Sequence, residues 1–417
     1  MAIGVGMSAH EVRQSGVPSN LTALALTAGG ARGAYQAGVL KRIGEIPALR
    51  EAPAPFDIIA GASAGAINGA ALAARGERLH EATSHLAALW SALSADQVYR
   101  TDLRALAGNV GRLLGDAALR PWLGAGRMQS LLDAAPLKRL LERELPVAGI
   151  RRAIAQGRLY ALAITATGYH SGKSYTFIEG RAHHPLWHKS RRIALPATIT
   201  VDHVCASAAI PLVFAPVALN TGGTQAWFGD GAMRLTNPLS PAIRLGARRV
   251  LAIGIRCSAS EKELTEAELA THVDSLDARR LPPRPPLSQI CGVFLNAIFL
   301  DHLDADLDHL RRMNELVRAY GGSESQAVDV QVHEPMRVVE PLVVSPSEDF
   351  ADIASQLVSR MPRSVRFMLE TLGSPDPKSA DLTSYLLFDP EYTRALIDIG
   401  YRDAHERCDE IEAFLRA

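Results

Sequence analysis

Short apolar segments alternate with segments of helical periodicity along the first part of the chain. Leu21–Thr27 and Phe56–Ala60 are apolar runs that each end in a glycine-rich loop, and a segment with helical spacing follows each loop. Further strand-like runs occupy Leu159–Thr165, Ser174–Ile178 and Arg249–Ile255. Because strands that alternate with helices form parallel sheets covered on both faces, the pattern predicts an α/β fold with a mainly parallel central sheet.

The other periodic segments predict helices. Between Glu77 and Arg158 the pattern is mainly helical and contains no obvious catalytic cluster, which is typical of a segment that covers a sheet. Farther along the chain, we expect helices over Pro238–Leu245, Leu287–Tyr320, Phe350–Leu372 and Arg394–Ala417, and a strand over Met336–Val344.

A charged and proline-rich stretch divides the chain. Glu261–Arg280 is rich in charged residues and runs into the sequence PPRPP at Pro282–Pro286. Since proline-rich segments are extended and stiff, this stretch predicts a connection between two units. We therefore expect a first domain over residues 21–257, a connection over 258–286 and a mainly helical C-terminal region over 287–417.

Composition and charge exclude several function classes. The 417 residues include 44 basic and 44 acidic side chains, so the overall charge gives no support to a nucleic-acid partner. The four cysteines are far apart and form no CxxC pair, which argues against a zinc ribbon and against a disulfide framework. The first twenty residues lack the basic stretch and apolar core of a secretory signal, so we expect a cytoplasmic protein.

Ile58–Ala74 is a long run without a charge, and its length approaches the roughly 20 residues that span a bilayer. It contains Ser63, Asn68 and several glycines, and it begins with a strand-like sequence. A buried strand, turn and helix therefore explain the run better than a membrane span.

The turn in this run spells GASAG, a match to the GxSxG motif, with Ser63 flanked by Gly61 and Gly65. A nucleophile on a tight strand-to-helix turn needs small neighbours, because a bulky side chain would collide with the strand or the helix. The helix N-terminus after Ser63 would also favour a developing negative charge. The alternative is a glycine-rich turn whose serine only caps the helix.

A second glycine-rich loop, AGGARG at Ala28–Gly33, lies upstream between a predicted strand and a predicted helix. Its exposed backbone N–H groups could bind the oxyanion of an acyl-transfer reaction. A dinucleotide-binding loop is the alternative, but that fingerprint requires GxGxxG and the first position here is Ala28. Arg32 could assist an anionic head group or the oxyanion, or it could be a solvated loop charge.

Asp230 lies between Gly229 and Gly231 at the end of a short apolar run. A carboxylate in a tight turn near Ser63 could accept the serine proton directly, which would make a two-residue catalytic centre. An aspartate between glycines is more often a plain turn former, so spacing alone leaves both interpretations open.

The order of these motifs is more specific than any one of them. A glycine-rich loop (AGGARG), then GxSxG (GASAG), then DG[AG] (DGA) resembles the patatin-like phospholipase family, and Cys205–Val217 is similar to the family's stretch of small residues followed by Ile-Pro. The resemblance covers about Leu21 to Arg256. It implies a three-layer α/β/α fold and a serine hydrolase of the phospholipase A type that cleaves lipid esters without a cofactor or metal.

The resemblance also assigns site residues. It implies that Ser63 is the nucleophile, that Asp230 is its base and then its acid, and that Gly33, Gly61, Gly65 and Gly231 are motif glycines. It further implies an oxyanion hole at Ala28, Gly29, Gly30 and Arg32.

Ala28 departs from the family pattern, which usually has glycine at this position, and alanine loses easy access to positive φ. This departure, together with the unassigned C-terminal third, leaves a second hypothesis, a catalytically weak lipid-binding or scaffold protein that keeps the fold.

Two other segments carry candidate chemistry. LDHLDADLDHL, with His302 and His309, could hold a metal, but no ligand set converges at i, i+4 spacing, so a solvated acidic helix face is the preferred interpretation. Arg181–Arg192 combines basic residues, histidines and Trp187. It could rest peripherally on an anionic membrane, or it could be an exposed loop with one packed tryptophan. No motif bears on the oligomeric state.

Overall fold

A computed structural model of the chain describes residues 20–100, 130, 132–257, 302–320, 337–371 and 380–417. Within these ranges nine strands form one sheet. The strands are β1 (Leu21–Leu26), β2 (Ile58–Ala62), β3 (Ala161–Gly168), β4 (Lys173–Gly180), β5 (Arg192–Pro196), β6 (Val217–Asn220), β7 (Gln225–Gly229), β8 (Ala247–Ile253) and β9 (Glu340–Val344).

The sheet is mainly parallel, as the alternation of strands and helices predicts. Its order is β5-β4-β3-β2-β1-β8-β9, and the hairpin of β6 and β7 attaches to the end of β3. β1, β2, β3, β8 and β9 run parallel to one another in this row, whereas β4 is antiparallel to β3. The carboxyl ends of β1 and β2 therefore meet at one edge of the sheet, where loops commonly carry functional residues.

Helices cover both faces of the sheet. Alternate residues of β1 point to opposite sides, so Leu24 and Leu26 join one core cluster while Ala23 and Ala25 join the other. The described helices are α1 (Gly33–Gly44), α2 (Ala64–Arg75), α3 (Leu79–Ser91), α4 (Ala95–Val98), α5 (Ala135–Glu144), α6 (Ala148–Ala155), α7 (Val201–Ser207), α8 (Ser240–Leu245), α9 (Leu303–Tyr320), α10 (Phe350–Leu357), α11 (Arg363–Thr371), α12 (Ala380–Leu386), α13 (Pro390–Glu406) and α14 (Cys408–Arg416).

The two core clusters show which helices belong to which layer. The larger cluster contains buried side chains of α1, α2, α3 and α13, and the smaller one contains buried side chains of α8 and α9. This arrangement of helix, sheet and helix is the expected α/β class.

Two predicted C-terminal helices are wrong in extent. Phe350–Leu372 is divided into α10 and α11 because Pro362 lacks a backbone N–H and holds Met361 in an extended conformation. The predicted helix from Arg394 to Ala417 begins earlier, at Pro390, and breaks at Arg407 into α13 and α14. The part of Leu287–Tyr320 before residue 302 lies outside the described residues.

Ile58–Ala74 forms β2, the turn at Ser63 and most of α2, as predicted. None of the described helices combines the length and the apolar character that a membrane crossing requires.

The C-terminal elements pack directly on the rest of the sheet and its helices. β9 pairs with β8 along Arg249–Ile253 and so extends the sheet by one strand. α13 lies against α1, where the Tyr35 hydroxyl donates to the Asp403 carboxylate at 2.9 Å. The helices approach so closely that a Cβ at Gly38 would overlap the Ile397 carbonyl oxygen. The predicted boundaries at 257 and 286 remain predictions.

Candidate active site

Ser63 occupies a sharp turn between β2, which ends at Ala62, and α2, which begins at Ala64. Its φ of 53° and ψ of −124° lie in a region that residues other than glycine rarely adopt. A strained backbone of this kind persists only where the surroundings fix it, and it is common at functional sites. The turn is the strand-to-helix elbow that GASAG predicts.

The motif glycines are explained by backbone crowding around this turn. At Gly65 a Cβ would overlap the carbonyl oxygen of Leu26 at the end of β1, and at Gly61 it would overlap the carbonyl oxygen of Gly65. A Cβ at Gly231 would overlap the Thr165 carbonyl oxygen. Any larger residue would therefore push apart the strands and the helix that hold Ser63.

Asp230 follows β7 and is held on its backbone from two sides. Its N–H donates to the Ala209 carbonyl at 2.9 Å, and its own carbonyl accepts from the Thr167 hydroxyl at 2.8 Å. Since β7 pairs with the end of β3, the residue is carried to the edge of the sheet at which β2 ends. The sequence leaves its role open, and the structure brings it to Ser63.

The two side chains are in direct contact. Ser63 Oγ donates to Asp230 Oδ2 at 2.7 Å, and Asp230 Oδ1 accepts from the Ala232 N–H at 2.8 Å. Ser63 is 3% exposed and Asp230 is completely buried. The carboxylate is therefore oriented by one backbone bond and faces the serine with its other oxygen.

Burial changes the acidity of this carboxyl group. It raises the pKa of Asp230 from 3.8 to about 7, although the hydrogen bonds from Ser63 and from the Ala232 N–H act in the opposite direction. A carboxylate with a pKa near neutral pH is a stronger base than an exposed one, and it can also return a proton at the same pH.

The glycine-rich loop connects β1 to α1 beside this pair. Ala28 has no positive φ, Gly29 is extended with a φ of −171°, and Gly30 carries the left-handed φ of 54°. Left-handed backbone is thus confined to a glycine, and Ala28 lies where alanine is unstrained. Within the described part of the chain, no hydrogen bond is donated by the N–H groups of these three residues.

Arg32 does not extend into solvent. It is 2% exposed, its Nε donates to the Ser384 hydroxyl at 2.7 Å, and its guanidinium lies 4.3 Å from the centre of the Tyr385 ring. The interpretation of Arg32 as a solvated loop charge is therefore wrong. Its side chain joins the glycine loop to α12.

An apolar pocket lies beside Ser63, and its cavity volume is about 40 Å³. Gly30 of the glycine loop borders it as well. Apart from Ser63, its wall consists of glycine and apolar side chains, which are Ala64, Ile67, Leu89, Trp90, Leu93, Val98, Leu137, Leu140, Leu141, Ala208, Ile210, Phe214 and Phe388. A lining of this apolar character suits a hydrocarbon chain.

One polar residue of the site has no signal in the sequence motifs. The Ser207 hydroxyl accepts from the Ser63 N–H at 2.9 Å and donates to the Thr165 carbonyl at 2.6 Å. It therefore fixes the backbone of the elbow. Ser207 belongs to the Cys205–Val217 stretch that resembles the family, but nothing in that stretch distinguishes it from a small core residue.

A buried amide pair also supports the loop and the pocket. Gln36 donates to the Thr27 carbonyl at 2.8 Å, and Asn68 donates to the Gln36 amide oxygen at 2.9 Å. The Asn68 oxygen accepts from the Trp90 indole at 2.7 Å, so the network reaches a residue of the pocket wall. Buried networks in which each group is paired hold their members rigidly.

The two other candidate segments lie apart from this pocket. In α9, Asp306 is buried and accepts from the Asn237 amide and the Leu239 N–H, so its interpretation as part of a solvated acidic face is wrong for this residue. Groups of three or more residues able to hold a metal do not occur in the described ranges. Trp187 is packed against Arg244 within a largely exposed loop.

Comparisons with known proteins agree with the motifs. A family model described as patatin-like phospholipase matches residues 24–243. No protein in the curated set matches the chain in sequence.

Among solved structures, VipD from Legionella pneumophila is 13% identical, with coverage of 91% of this chain and 67% of VipD at a TM-score of 0.31. Human GIVD cytosolic phospholipase A2, solved with methyl gamma-linolenyl fluorophosphonate, is 13% identical. The match covers 95% of this chain and 59% of the phospholipase at a TM-score of 0.39. The ExoU–SpcU complex from Pseudomonas aeruginosa is 13% identical, with coverage of 88% of this chain and 69% of that chain at a TM-score of 0.25.

Proposed function

Since the chain belongs to the patatin-like phospholipase family, we propose that it is a serine lipid acyl hydrolase of the phospholipase A type, with Ser63 as nucleophile and Asp230 as its acid and base. The observation that carries the proposal is the 2.7 Å bond from Ser63 Oγ to the buried Asp230 carboxylate, at the mouth of an apolar pocket. Family membership supports lipid hydrolysis in general, and the geometry supports this assignment of roles.

In the proposed first step, Ser63 Oγ attacks the ester carbonyl while Asp230 Oδ2 takes the hydroxyl proton. The carbonyl oxygen becomes an oxyanion, which the N–H groups of Ala28, Gly29 and Gly30 would bind. Collapse of this intermediate breaks the ester bond, and the proton held by Asp230 passes to the leaving alcohol. Acyl-Ser63 remains.

The second step reverses the proton transfers. Asp230 accepts a proton from water, which attacks acyl-Ser63, and then returns a proton to Ser63 Oγ as the fatty acid leaves. One carboxylate can serve in both directions because its pKa of about 7 lies near the working pH. The lone orienting bond from the Ala232 N–H leaves Oδ2 directed at the serine.

The pocket supports lipid esters as the substrate class. Its wall of leucine, isoleucine and aromatic side chains would bury an acyl chain, and each methylene removed from water contributes about 0.8 kcal/mol. Peripheral contact with a membrane, where such a substrate resides, belongs to the same proposal.

The alternative of a catalytically weak lipid-binding or scaffold protein rests in part on Ala28. This residue keeps an ordinary φ, and the left-handed conformation falls on Gly30. The loop thus accommodates alanine without strain, and the observation favours the hydrolase over the inactive protein.

The test uses hydrolysis of a short p-nitrophenyl ester by the wild type and by Ser63→Ala and Asp230→Asn. We expect each substitution to lower kcat by about a thousandfold or more, because the two side chains act as a unit. A fluorophosphonate probe should modify the wild type stoichiometrically at Ser63, as read by peptide mass spectrometry.

Matched controls are Ser91→Ala, a half-buried serine on α3, and Asp306→Asn, a second buried carboxyl group. Both should retain activity, and circular dichroism should show that all four variants are folded. Hydrolysis retained in both Ser63→Ala and Asp230→Asn would refute the dyad, and a wild type that neither turns over nor reacts with the probe would support the inactive protein.

A further inference from the structure

Five residues near the C-terminus, Ser384–Phe388, lie against the candidate active site. All five are buried, with Phe388 the most exposed at 8%. They follow the last residue of the family match, residue 243, by more than a hundred positions, so the family model assigns them no role. They are called the 384–388 segment below.

The segment contacts the glycine loop at two points. The Tyr385 carbonyl oxygen lies so close to Gly30 that a Cβ there would overlap it. Next to this contact, the Ser384 hydroxyl accepts from Arg32 Nε at 2.7 Å, and the Tyr385 ring faces the same guanidinium. The loop is thus held by backbone contact at its left-handed residue and by a buried side chain at its end.

The segment also forms part of the acyl pocket. Phe388 lies in the pocket wall together with Ser63 and Phe214. Tyr99 fixes its position, because the Tyr99 ring packs edge-on against Phe388 with 6.0 Å between centroids and the Tyr99 hydroxyl donates to the Leu386 carbonyl at 3.0 Å. The pocket therefore has a wall that comes from outside the matched region.

We propose that the 384–388 segment completes the active site, with Ser384 and Tyr385 as positioning residues for the oxyanion loop and Phe388 as a residue that sets acyl-chain selectivity. The inference rests on the proposed hydrolase function, which it deepens. It assigns the C-terminal part of this chain a role in catalysis and in the choice of substrate.

Each half of the proposal follows from a contact. The loop N–H groups bind the oxyanion only if Gly30 keeps its conformation, and small displacements of such donors cost large factors in rate. Phe388 occupies space that a longer acyl chain would need, because it borders the pocket that begins at Ser63.

The first experiment compares the full-length wild type with Ser384→Ala, using p-nitrophenyl butyrate. We expect kcat to fall by about tenfold or more with little change in KM, since the hydroxyl holds the loop and touches no substrate. The rate of Ser63 modification by a fluorophosphonate should fall in parallel. The control is Ser364→Ala, another buried serine of the C-terminal part, which should leave both rates unchanged.

The second experiment compares chain-length profiles of the wild type and Phe388→Leu on p-nitrophenyl esters from four to sixteen carbons. We expect kcat/KM for long chains to rise relative to short ones, by about fourfold for each methylene that gains burial. The control is Phe56→Leu, because Phe56 is buried outside the pocket wall. It should keep the wild-type profile.

The possible outcomes distinguish a failure of this inference from a failure of the proposed hydrolase function. If the wild type hydrolyses esters while Ser384→Ala keeps its kcat and Phe388→Leu keeps its profile, the segment is only structural and the inference is overturned, but the hydrolase stands. A wild type without turnover or Ser63 labelling overturns both. Thermal unfolding of each variant checks that it is folded at the assay temperature.

Discussion

The Ser63–Asp230 pair depends on one unusual property, a carboxyl group without solvent contact. In water an aspartate is a weak base, whereas burial raises the pKa of Asp230 to about 7. In the proposed mechanism the ionised group takes the serine proton, and this form predominates above that pH, whereas the protonated form predominates below it. The activity of the protein should follow this titration.

We accordingly expect kcat/KM for a neutral ester to rise as pH increases through about 7 and to fall about tenfold for each pH unit well below it. Because the pKa of Asp230 is raised from 3.8 to about 7, the protonated and inactive form of this carboxyl group persists to a higher pH than in a free aspartate. The measurement is a kcat/KM profile from pH 5 to pH 9, with circular dichroism at each pH as the control. Full activity at pH 5 would contradict a buried aspartate base.

At the residue scale, the sequence predicts the site as far as its motifs extend. A glycine in a motif indicates a crowded backbone, so the importance of Gly61, Gly65 and Gly231 can be predicted before the structure is known. Ser207 is not, because a serine that holds a backbone N–H has no sequence pattern to distinguish it from one that only fills space. Long-range hydrogen bonds of this kind depend on the folded chain.

At the scale of elements, α1 and α13 form a closely packed helix pair near the site. The two helices approach through Gly38 and Gly400, where a Cβ would overlap the carbonyl oxygens of Ile397 and Tyr35 respectively. Because glycine has no side chain at either position, the backbones of the two helices can lie close together. The Tyr35–Asp403 hydrogen bond crosses the same interface.

Gly38→Ala should therefore lower the free energy of unfolding by about 1 to 3 kcal/mol, since the added methyl group must separate two packed helices. Urea denaturation followed by circular dichroism measures this change. Asp398→Ala, on the exposed face of α13, is the control and should change stability little. An unchanged or higher stability in Gly38→Ala would show that the helices are not in contact in solution.

Element prediction succeeds where the local pattern is strong. β1, β2 and β3 are largely apolar and β8 ends in an apolar run, because both faces of the sheet are covered, and such runs can be recognised in the sequence. β5, β6 and β7 are short and partly exposed, so their sequences carry little periodicity. Their pairing partners, rather than their own residues, make them strands.

At the scale of the whole molecule, the C-terminal elements cover surface that the first 257 residues would otherwise expose. β9 covers the edge of β8, α13 covers the apolar side of α1, and Phe388 closes part of the pocket wall. Side chains of both parts belong to one core cluster, unlike the polar interfaces common between separate domains.

A chain that ends at residue 257 should thus fail to fold cooperatively and should aggregate, because the uncovered faces are apolar. Soluble expression and thermal unfolding of residues 20–257, compared with the full chain, measure this. Co-expression of residues 302–417 is the matched control and should recover soluble protein. A truncated protein with the stability of the full chain would show that the predicted boundary separates independent domains.

The packing of α13 on α1 also has a consequence for the order in which the protein is made. A chain emerging from the ribosome presents Ser63 and Asp230 first, and Phe388 and α13 follow well after them. Because domains fold as their contacts become available, the pocket wall cannot be completed before Phe388 has emerged. The proposed hydrolase would therefore gain its activity only after the 384–388 segment has emerged.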